Sequence, residues 1–308
     1  MKLIADLHTH TTYSHGKGSV LDNITVALSR GLKALGITDH GPRSAPWVRA
    51  SLSDFRRMRQ EVTDLDRRSV GIRVLAGAEC NIISLQGALD VPPTIRQQLD
   101  IVLAGLHPGI LPRSGRDWLT LTGGNWAAKL SDNWRHRARK ANTRAVVQAV
   151  LRNHIDVITH PGYHLDIDTV ELARACARRD TALEINARHH EMTVEYVRLA
   201  AREGVKFVIG SDAHTPDDVG NLARGLEVAE AAGLTEKQVL NAEGGGLFEW
   251  LERKQAMRTA GPDWRRWLAQ PPLDRVSPGR QNQPAEQETA GQRQRSYWAD
   301  WSSQGKPH

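Results

Sequence analysis

The stretch Ala5-Asp6-Leu7-His8-Thr9-His10 places two histidines at the end of a short apolar run near the start of the chain. On a β-strand, residues two apart point to the same side, so His8 and His10 can face one site. A third histidine, His15, follows in S-H-G, where we expect the first loop. The segment therefore predicts a strand whose C-terminal end delivers imidazoles to a shared centre.

Polar residues end short apolar runs in the same way further along the chain. They lie in T-D-H-G (His40), G-A-E-C (Glu79), G-L-H-P (His107), T-H-P-G (His160) and G-S-D-A-H (Asp212 and His214). With the three histidines above, the chain offers nine candidate ligands. Imidazole and carboxylate bind divalent transition metals, and one zinc takes about four ligands, so nine predict a cluster of roughly two or three ions.

Short β-rich runs alternate with helical patterns. Strands are predicted at Leu3–Leu7, Ala34–Thr38, Arg73–Ala78, Ile101–Gly105, Val157–Thr159, Ala182–Ile185 and Lys206–Gly210. Helices are predicted to begin near Ser19, Ser53, Asp168 and Thr193 and to include the region Trp134–Lys140. Strands that alternate with helices form a parallel sheet with both faces covered.

Two arrangements of such strands fit the pattern. An open doubly wound sheet forms its site at one switch point, whereas a closed barrel brings every strand end to one mouth. The candidate ligands follow the ends of six different strands, so closure is what lets all nine meet. We therefore expect an α/β fold in which the strands close into a barrel.

The bulk composition limits the functional classes. The chain has 308 residues, enough for one barrel of roughly 250 residues and a tail. No apolar run approaches the ~18 residues of a membrane span. The two cysteines, Cys80 and Cys176, cannot form a disulfide framework, which favours a reducing compartment. We expect a cytoplasmic protein that does not contact a membrane.

The net charge of +6 is unevenly distributed. Residues 109–145 contain eight Lys or Arg against two acidic residues, the stretch from Arg253 onward contains ten against five, and the remainder is mildly acidic. In the first of these segments Trp118, Trp126 and Trp134 interleave with arginines, a chemistry that stacks bases and pairs with phosphates. This favours contact with a nucleotide, an oligonucleotide or another polyanion. The alternative is a helix with a solvated basic face whose tryptophans pin it to the barrel.

The C-terminal part of the chain has a different composition. From about Gly261 it is rich in Pro, Gln, Arg and Gly, so we expect a domain at 1–256 and a largely disordered tail at 257–308. An aromatic patch in this tail, Y-W-A-D-W (Tyr297, Trp298, Trp301), could dock on the barrel or on a partner, or be unstructured.

Several motifs together resemble the PHP (polymerase and histidinol phosphatase) family and are most similar to its small stand-alone bacterial phosphatases. They are H-T-H-T-x-x-S-H-G, I-T-D-H-G-P, G-A-E-x-N-I, T-H-P-G, L-E-I-N and G-S-D-A-H-T, in the family's order over roughly residues 1–252. The resemblance implies a distorted seven-stranded β/α barrel that holds three divalent metal ions, with zinc expected first and manganese or iron as alternatives.

The resemblance also implies how the ligands divide among the ions. The first ion would be held by His8, His10, Glu79 and Asp212, the second by His15, His40 and His214, and the third by Glu79, His107 and His160. Glu79 would thus bridge two ions. No ligand position is substituted, whereas the basic segment 109–145 and the tail depart from the family's pattern.

A centre of this kind suits the hydrolysis of phosphomonoesters by a metal-bound hydroxide, with the ions neutralising the phosphoryl oxygens. We take Glu79 and Asp212 as the catalytic carboxylates and Arg43 and Arg188 as substrate-binding residues. The candidates for protonating the leaving group are His164, His189 and His190.

For three residues that lie close to candidate ligands in sequence, we expect supporting roles. Asp6 and Asp39 either orient an imidazole or hold the local backbone. Cys80 should face away from Glu79 as a core thiol.

Two other functions fit the same residues. A metal-dependent amidohydrolase also uses H-x-H after the first strand of a barrel, but it often bridges its metals with a modified lysine, and Glu79 occupies that place here. A non-catalytic scaffold module would tolerate loss of ligands. Histidinol phosphate, a nucleoside monophosphate, a sugar phosphate and the 3′-end of a single strand all remain candidate substrates, and the oligomeric state is not predicted.

Overall fold

The computed structural model describes residues 1–68 and 71–259, in which seven parallel strands follow one another around a nearly closed barrel. The strands are β1 (Ala5–Thr9), β2 (Ala34–Ile37), β3 (Arg73–Asn81), β4 (Ile101–Gly105), β5 (Val157–Ile158), β6 (Ala182–Asn186) and β7 (Phe207–Gly210). Each strand pairs with the next one in sequence, in the order β1 to β7. The predicted α/β barrel is therefore confirmed.

Helices cover the outside of the barrel. They are α1 (Val20–Ser29), α2 (Leu52–Arg67), α3 (Pro93–Arg96), α4 (Gly115–Asp117), α5 (Gly124–Ala127), α6 (Asp132–Arg152), α7 (Thr169–Arg178), α8 (Val194–Arg202), α9 (Ala223–Ala231) and α10 (Leu247–Thr259). A π-helical turn at Trp118–Gly123 joins α4 to α5, and short 3-10 turns lie at Pro216–Asp218 and Glu236–Gln238.

Side-chain caps fix where the longer helices begin. The hydroxyl of Ser19 accepts from the backbone N–H of Asp22 and the Asp22 carboxylate accepts from that of Ser19, a capping box that confirms the predicted helix start near Ser19. Asp168 and Thr193 cap α7 and α8 as predicted, whereas α2 is capped by Ser51, two residues before the predicted Ser53. Each cap satisfies backbone donors at a helix start and thereby ends the loop that precedes the helix.

The predicted boundaries of two strands, β1 and β3, were wrong by more than one residue. Leu3 forms only an isolated antiparallel bridge to Ala242, and β1 starts at Ala5 and includes His8. Strand β3 extends beyond Ala78 to Asn81, so that Glu79 lies inside the strand, opposite Leu103 of β4. Polar residues can occupy strand positions here because buried partners from neighbouring strands satisfy them.

Side chains close the seam between β1 and β7. The amide of Asn241 donates to the carbonyls of Ala5 and Ile209, at 2.8 Å each, and its oxygen accepts from the Ile209 N–H at 3.0 Å. The fully buried Asp6 carboxylate accepts from the hydroxyl of Ser211 and the N–H of Gly220. Of the two roles expected for Asp6, the structure therefore shows the one that holds the backbone.

Buried apolar residues lie toward the N-terminal ends of the strands, and α10 packs against them. The cluster joins all seven strands to Leu240 and to Leu247, Trp250 and Leu251 of α10. The candidate ligands lie at the opposite, C-terminal ends of the strands, which we call the mouth. The polar cluster at the mouth therefore lies above an apolar core at the other end of the barrel.

Some expectations concern the end of the chain. The described part of helix α10 spans Leu247–Thr259, and the predicted domain boundary at residue 256 stays a prediction. The predicted tail, with Tyr297, Trp298 and Trp301, lies outside the described residues beyond 259. Among the helices that the structure describes, none is long and apolar enough to cross a membrane.

Candidate metal centre

The structure brings the nine candidate ligands together at the mouth. The ring of His10 stacks on those of His40 and His214, with centroids 4.4 Å apart in each pair. The ring of His15 lies 4.3 Å from that of His214, and His107 lies 4.9 Å from His160. The nine side chains therefore form one continuous cluster.

Four of these side chains form a compact set of donor atoms. Nε2 of His10 lies 3.2 Å from Nε2 of His8 and 3.1 Å from Oδ1 of Asp212. Nε2 of His8 lies 3.4 Å from Oε2 of Glu79 and 3.5 Å from Oδ1 of Asp212. Donors that surround one zinc tetrahedrally at about 2.0–2.1 Å are themselves roughly 3.3 Å apart. The spacing of this set matches a single tetrahedral ion.

The two oxygens of Glu79 face two different groups of histidines. Oε1 lies 3.0 Å from Nε2 of His107 and 2.9 Å from Nε2 of His160, and those two nitrogens are 3.3 Å apart. Oε2 faces His8, His10 and His40 at 3.4, 3.7 and 2.8 Å. The two oxygens of Glu79 therefore face separate sets of imidazoles, and the bridging role that the family resemblance implies stays a prediction.

The remaining histidines form a looser group. In three sets of residues the donor atoms lie within 4.8 Å of one another. The sets are His10, His40 and His214; His8, His10 and Glu79; and His40, Glu79 and His107. The ring of His15 lies 5.0 Å from that of His40 and 4.3 Å from that of His214. The predicted set of His15, His40 and His214 stays a prediction.

Buried polar atoms without hydrogen-bond partners test whether these residues fit metal ions. Oε2 of Glu79 and Nδ1 of His40 are both buried and both lack a hydrogen bond, although they lie 2.8 Å apart. A buried carboxylate oxygen without a partner is costly, and a cation would compensate it. These two donor atoms lie close together without a hydrogen bond between them, as two ligands of one cation would. The residues therefore fit divalent cations.

The electrostatics of the two carboxylates agree with this fit. Burial alone would raise the pKa of Glu79, but the charges of His107, His8 and His40 hold it well below its usual range. The pKa of Asp212 is likewise held low against burial, chiefly by His8 and by hydrogen bonds from His10 and His189. Both carboxylates are therefore anionic and attract positive charge.

Backbone strain also marks the site. Asp212 has φ 53° and His160 has φ 25°, in the left-handed region that residues other than glycine rarely adopt. Such conformations cost about 1–3 kcal/mol each and persist where the surrounding structure imposes them.

A buried carboxylate that the sequence analysis did not assign holds two of the ligands. Oε1 of Glu184 lies 2.7 Å from Nδ1 of His8, while its Oε2 accepts from the backbone N–H of His160 at 2.7 Å. Asn81 acts similarly, with its Oδ1 2.8 Å from Nδ1 of His107. Such partners fix the tautomer and orientation of a ligating imidazole. The signal was the Glu of L-E-I-N, a charged residue inside a buried strand.

Asp39 holds the loop that presents His15. Its carboxylate accepts from the backbone N–H groups of Thr11 and Ser14, at 2.8 and 3.1 Å, and from both of their hydroxyls. Of its two expected roles, the structure shows the one that organises backbone. Cys80 is fully buried, which raises the pKa of its thiol and agrees with the expected core position.

The two predicted substrate-binding arginines differ in their surroundings. The guanidinium of Arg188 is exposed and lies 2.8 Å from Nδ1 of His214, at the edge of the cluster. That of Arg43 donates to the carbonyls of Leu111 and Pro112 at 3.2 and 2.9 Å. Arg43 therefore ties two mouth loops together, and its contact with substrate stays a prediction.

The three candidate proton donors also differ in their surroundings. Nε2 of His189 lies 3.1 Å from Oδ2 of Asp212, inside the cluster. His190 instead contacts the guanidinium of Arg224, and the ring of His164 packs 4.2 Å from that of Tyr163. Tyr163, which the sequence analysis did not select, also lies 4.2 Å from His189 and 5.0 Å from His160.

Comparison with known proteins agrees with this architecture. A "Probable phosphatase" of Thermoanaerobacter sp. (strain X514) is 32% identical over 265 residues, which cover 83% of this chain and 97% of the relative. Another from Shewanella sediminis (strain HAW-EB3) is 32% identical over 270 residues, covering 82% and 96%.

A solved structure shares the fold. Histidinol phosphate phosphatase from Lactococcus lactis subsp. lactis Il1403, complexed with Zn, L-histidinol and phosphate, aligns with a TM-score of 0.53 at 17% identity, over 76% of this chain and 95% of that chain. The model of the PHP domain matches residues 6–240, the part of the chain that forms the barrel and supplies all nine candidate ligands. The protein therefore belongs to the PHP domain family.

Proposed function

We propose that the protein is a metal-dependent phosphatase that hydrolyses phosphomonoesters at a trinuclear centre. The observation that supports this best is the placement of Glu79, whose two oxygens face separate groups of imidazoles. The phosphatase names of the relatives, and the zinc and phosphate in the related Lactococcus structure, support the same activity. The substrate is a phosphorylated small molecule or nucleotide.

Bound divalent cations, zinc first and manganese or iron as alternatives, supply an activated water at neutral pH and neutralise the phosphoryl charge. Glu79 and Asp212, the proposed catalytic carboxylates, would hold them together with the seven histidines. Glu184 and Asn81 keep the ring nitrogens of His8 and His107 turned toward the cluster. The protein's own contribution is thus a rigid set of donors whose orientation is fixed before substrate arrives.

The remaining roles fall to residues at the rim. Arg188 is exposed beside His214 and is suited to pair with phosphoryl oxygens in a bidentate manner. His189 is the best placed of the three histidines to protonate the leaving oxygen. In the reaction the P–O ester bond breaks, the oxygen of water bonds to phosphorus, and a proton ends on the leaving alcohol.

The proposed site of action is the cytoplasm. Cys80 and Cys176 are both free and buried, which agrees with a reducing compartment.

Turnover of 4-nitrophenyl phosphate by purified protein tests the activity, after metal is stripped and again after zinc or manganese is restored. We expect turnover to return with metal and to fail in Glu79→Ala. A folded protein that binds about three ions and hydrolyses no phosphomonoester would contradict the proposal.

A further inference from the structure

Residues 109–145, which we call the insertion, lie at the mouth. They begin two residues after His107, and their first turn is tied to the loop that follows β2. The N–H of Leu111 donates to the carbonyl of Arg43 at 2.9 Å, and Arg43 donates back to Pro112. The N–H of Arg113 donates to the carbonyl of Ile83 at 2.7 Å. The start of the insertion is therefore fixed to the mouth by the backbone.

The insertion also borders the opposite side of the mouth, next to the loop after β5. Asn142 of α6 donates to the carbonyl of Asp166 at 3.0 Å, and Thr143 accepts from the N–H of Asp168, the cap of α7. These contacts set residues 142–143 level with the start of α7. The part of α6 that precedes Asn142 begins at Asp132 and is about 15 Å long, at 1.5 Å per residue.

One exposed face of α6 is basic and begins with an aromatic ring. Trp134, Arg137, Lys140 and Arg144 recur at intervals of three or four residues, and all four are exposed. The guanidinium of Arg137 lies over the ring of Trp134, 5.1 Å from its centroid. The opposite face, with Asn142 and Val146, is buried. We call the four exposed residues the basic stripe.

Large apolar side chains of the insertion and of the loop after β2 are open to solvent. Trp126 is 76% exposed and Trp118 is 53% exposed, and Leu130 between α5 and α6 is 82% exposed. Trp47, in the loop after β2 that Arg43 joins to the insertion, is 79% exposed. These exposed fractions favour a binding surface over the alternative that the sequence left open, in which the tryptophans pin the insertion to the barrel. Exposed rings on a rigid segment beside an active site are suited to binding a partner.

The charge of the insertion limits what that partner can be. Its net charge is +6, so a second copy of this chain would bring two strongly positive surfaces together. A polyanion has the complementary charge. Of the polyanions, single-stranded nucleic acid also has flat bases that stack on indole rings, and its terminal phosphate is a phosphomonoester.

We propose that the insertion binds single-stranded nucleic acid, so that the barrel acts on the phosphorylated end of an oligonucleotide. The basic stripe would pair with internal phosphates and the exposed tryptophans would stack on the bases that flank the end. The terminal P–O ester bond breaks, water supplies the new P–O bond, and the products are inorganic phosphate and an oligonucleotide with a free hydroxyl. This inference rests on the proposed phosphatase function.

Binding is measured first, on the full chain, because it does not depend on turnover. The probe is a fluorescein-labelled 12-nucleotide oligodeoxythymidylate with a terminal phosphate at the other end, followed by fluorescence anisotropy in increasing salt. The test variant is Arg137→Gln/Lys140→Gln/Arg144→Gln. Its control, Arg67→Gln/Arg68→Gln/Arg178→Gln, removes the same charge from exposed residues at the C-terminal ends of α2 and α7.

We expect the test variant to bind at least about tenfold more weakly near 0.1 M salt, with a shallower dependence on salt, and the control to stay within about twofold. Trp126→Ala/Trp134→Ala should weaken binding without changing the salt dependence. With metal restored, the test variant should lose kcat/KM on the phosphorylated oligonucleotide and retain it on 4-nitrophenyl phosphate.

Other results would overturn the inference. Turnover of 4-nitrophenyl phosphate together with no oligonucleotide binding, or equal losses in both triple variants, would reject it while leaving the phosphatase function intact. Binding of anionic phospholipid vesicles but not of the oligonucleotide would assign the surface to a membrane. Self-association that Trp126→Ala/Trp134→Ala abolishes, without oligonucleotide binding, would assign it to a second copy.

Discussion

Glu184 holds His8 through a buried contact of 2.7 Å between Oε1 and Nδ1, and the side chains of both residues are 1% exposed. The same carboxylate accepts from the backbone N–H of His160, so one residue of β6 positions a ligand within β1 and another after β5. The contact directs Nε2 of His8 toward Glu79 and Asp212. Metal affinity should therefore depend on a residue that is not itself a proposed ligand.

We predict that Glu184→Gln lowers affinity for zinc about 10–100-fold, the range observed when such supporting partners are removed. The amide keeps the shape but loses the charge that orients the imidazole. Affinity is measured by competition with a chromophoric chelator. Glu171→Gln, an exposed change in the first turn of α7, is the control. Equal affinity of Glu184→Gln and wild type would show that packing alone orients His8.

A second prediction concerns the bridging carboxylate. Glu79→Gln should lower kcat by at least about 100-fold, the scale of losing one preorganised electrostatic group, and should reduce the number of bound ions. His15→Ala should have a smaller effect, because His15 belongs to none of the groups whose donor atoms lie within 4.8 Å of one another. Metal content by mass spectrometry and kcat on 4-nitrophenyl phosphate measure both. A larger loss in His15→Ala would reject the bridging role of Glu79.

Most of the fold was predictable because it follows from local pattern. Alternating runs locate strands, and Ser19, Asp168 and Thr193 mark helix starts with their own side chains. The start of β1 was not predictable in the same way. Leu3 looks like a strand residue, but its bridge to Ala242 depends on a segment at the far end of the fold.

The candidate site shows the same difference between residues identified from local sequence and residues whose roles depend on distant contacts. The proposed ligands were found because all but His15 stand at the end of a short apolar run, and His15 follows the first of these runs. Glu184 was missed because its contact with His8 spans 176 positions in sequence. Asp6 is comparable, since Ser211 and Gly220 reach it only when the barrel closes. Roles that depend on closure cannot be read from neighbours in sequence.

A third prediction concerns acid stability away from the metal centre. Burial lowers the pKa of His154 from 6.5 to about 4, and the charges of Arg179 and Lys254 add to this. Between these values the unfolded chain binds a proton that the folded protein does not. The contribution of His154 to the free energy of unfolding is therefore complete above pH 6.5 and declines as pH falls toward 4.

His154→Gln should remove this pH-dependent contribution, so that the variant loses less stability than wild type on acidification from pH 7 to 5. Urea midpoints at the two pH values measure the difference. The exposed His136→Gln serves as control for the loss of a histidine elsewhere. Parallel profiles for wild type and His154→Gln would refute the assignment.

The last prediction concerns how α10 is held on the barrel. Arg258 pairs with the carboxylate of Asp156, and the side chains are 2% and 0% exposed. Asp156 also accepts from the N–H of Val102 at 2.7 Å, so the pair joins α10 to β4. Removing one partner of a buried pair leaves a charge without full compensation, which typically costs 3–5 kcal/mol.

Arg258→Met should therefore lower the free energy of unfolding by about 3 kcal/mol, because Lys254 still lies near Asp156 and compensates part of its charge. Arg253 lies on the same helix and pairs with Asp180, but its side chain is 50% exposed. Arg253→Met should cost less than about 1 kcal/mol, as is usual for an exposed pair. Urea unfolding of both variants measures the difference. Equal losses would mean that α10 is held by its apolar residues, Trp250 and Leu251, and that the buried pair contributes no more than a surface one.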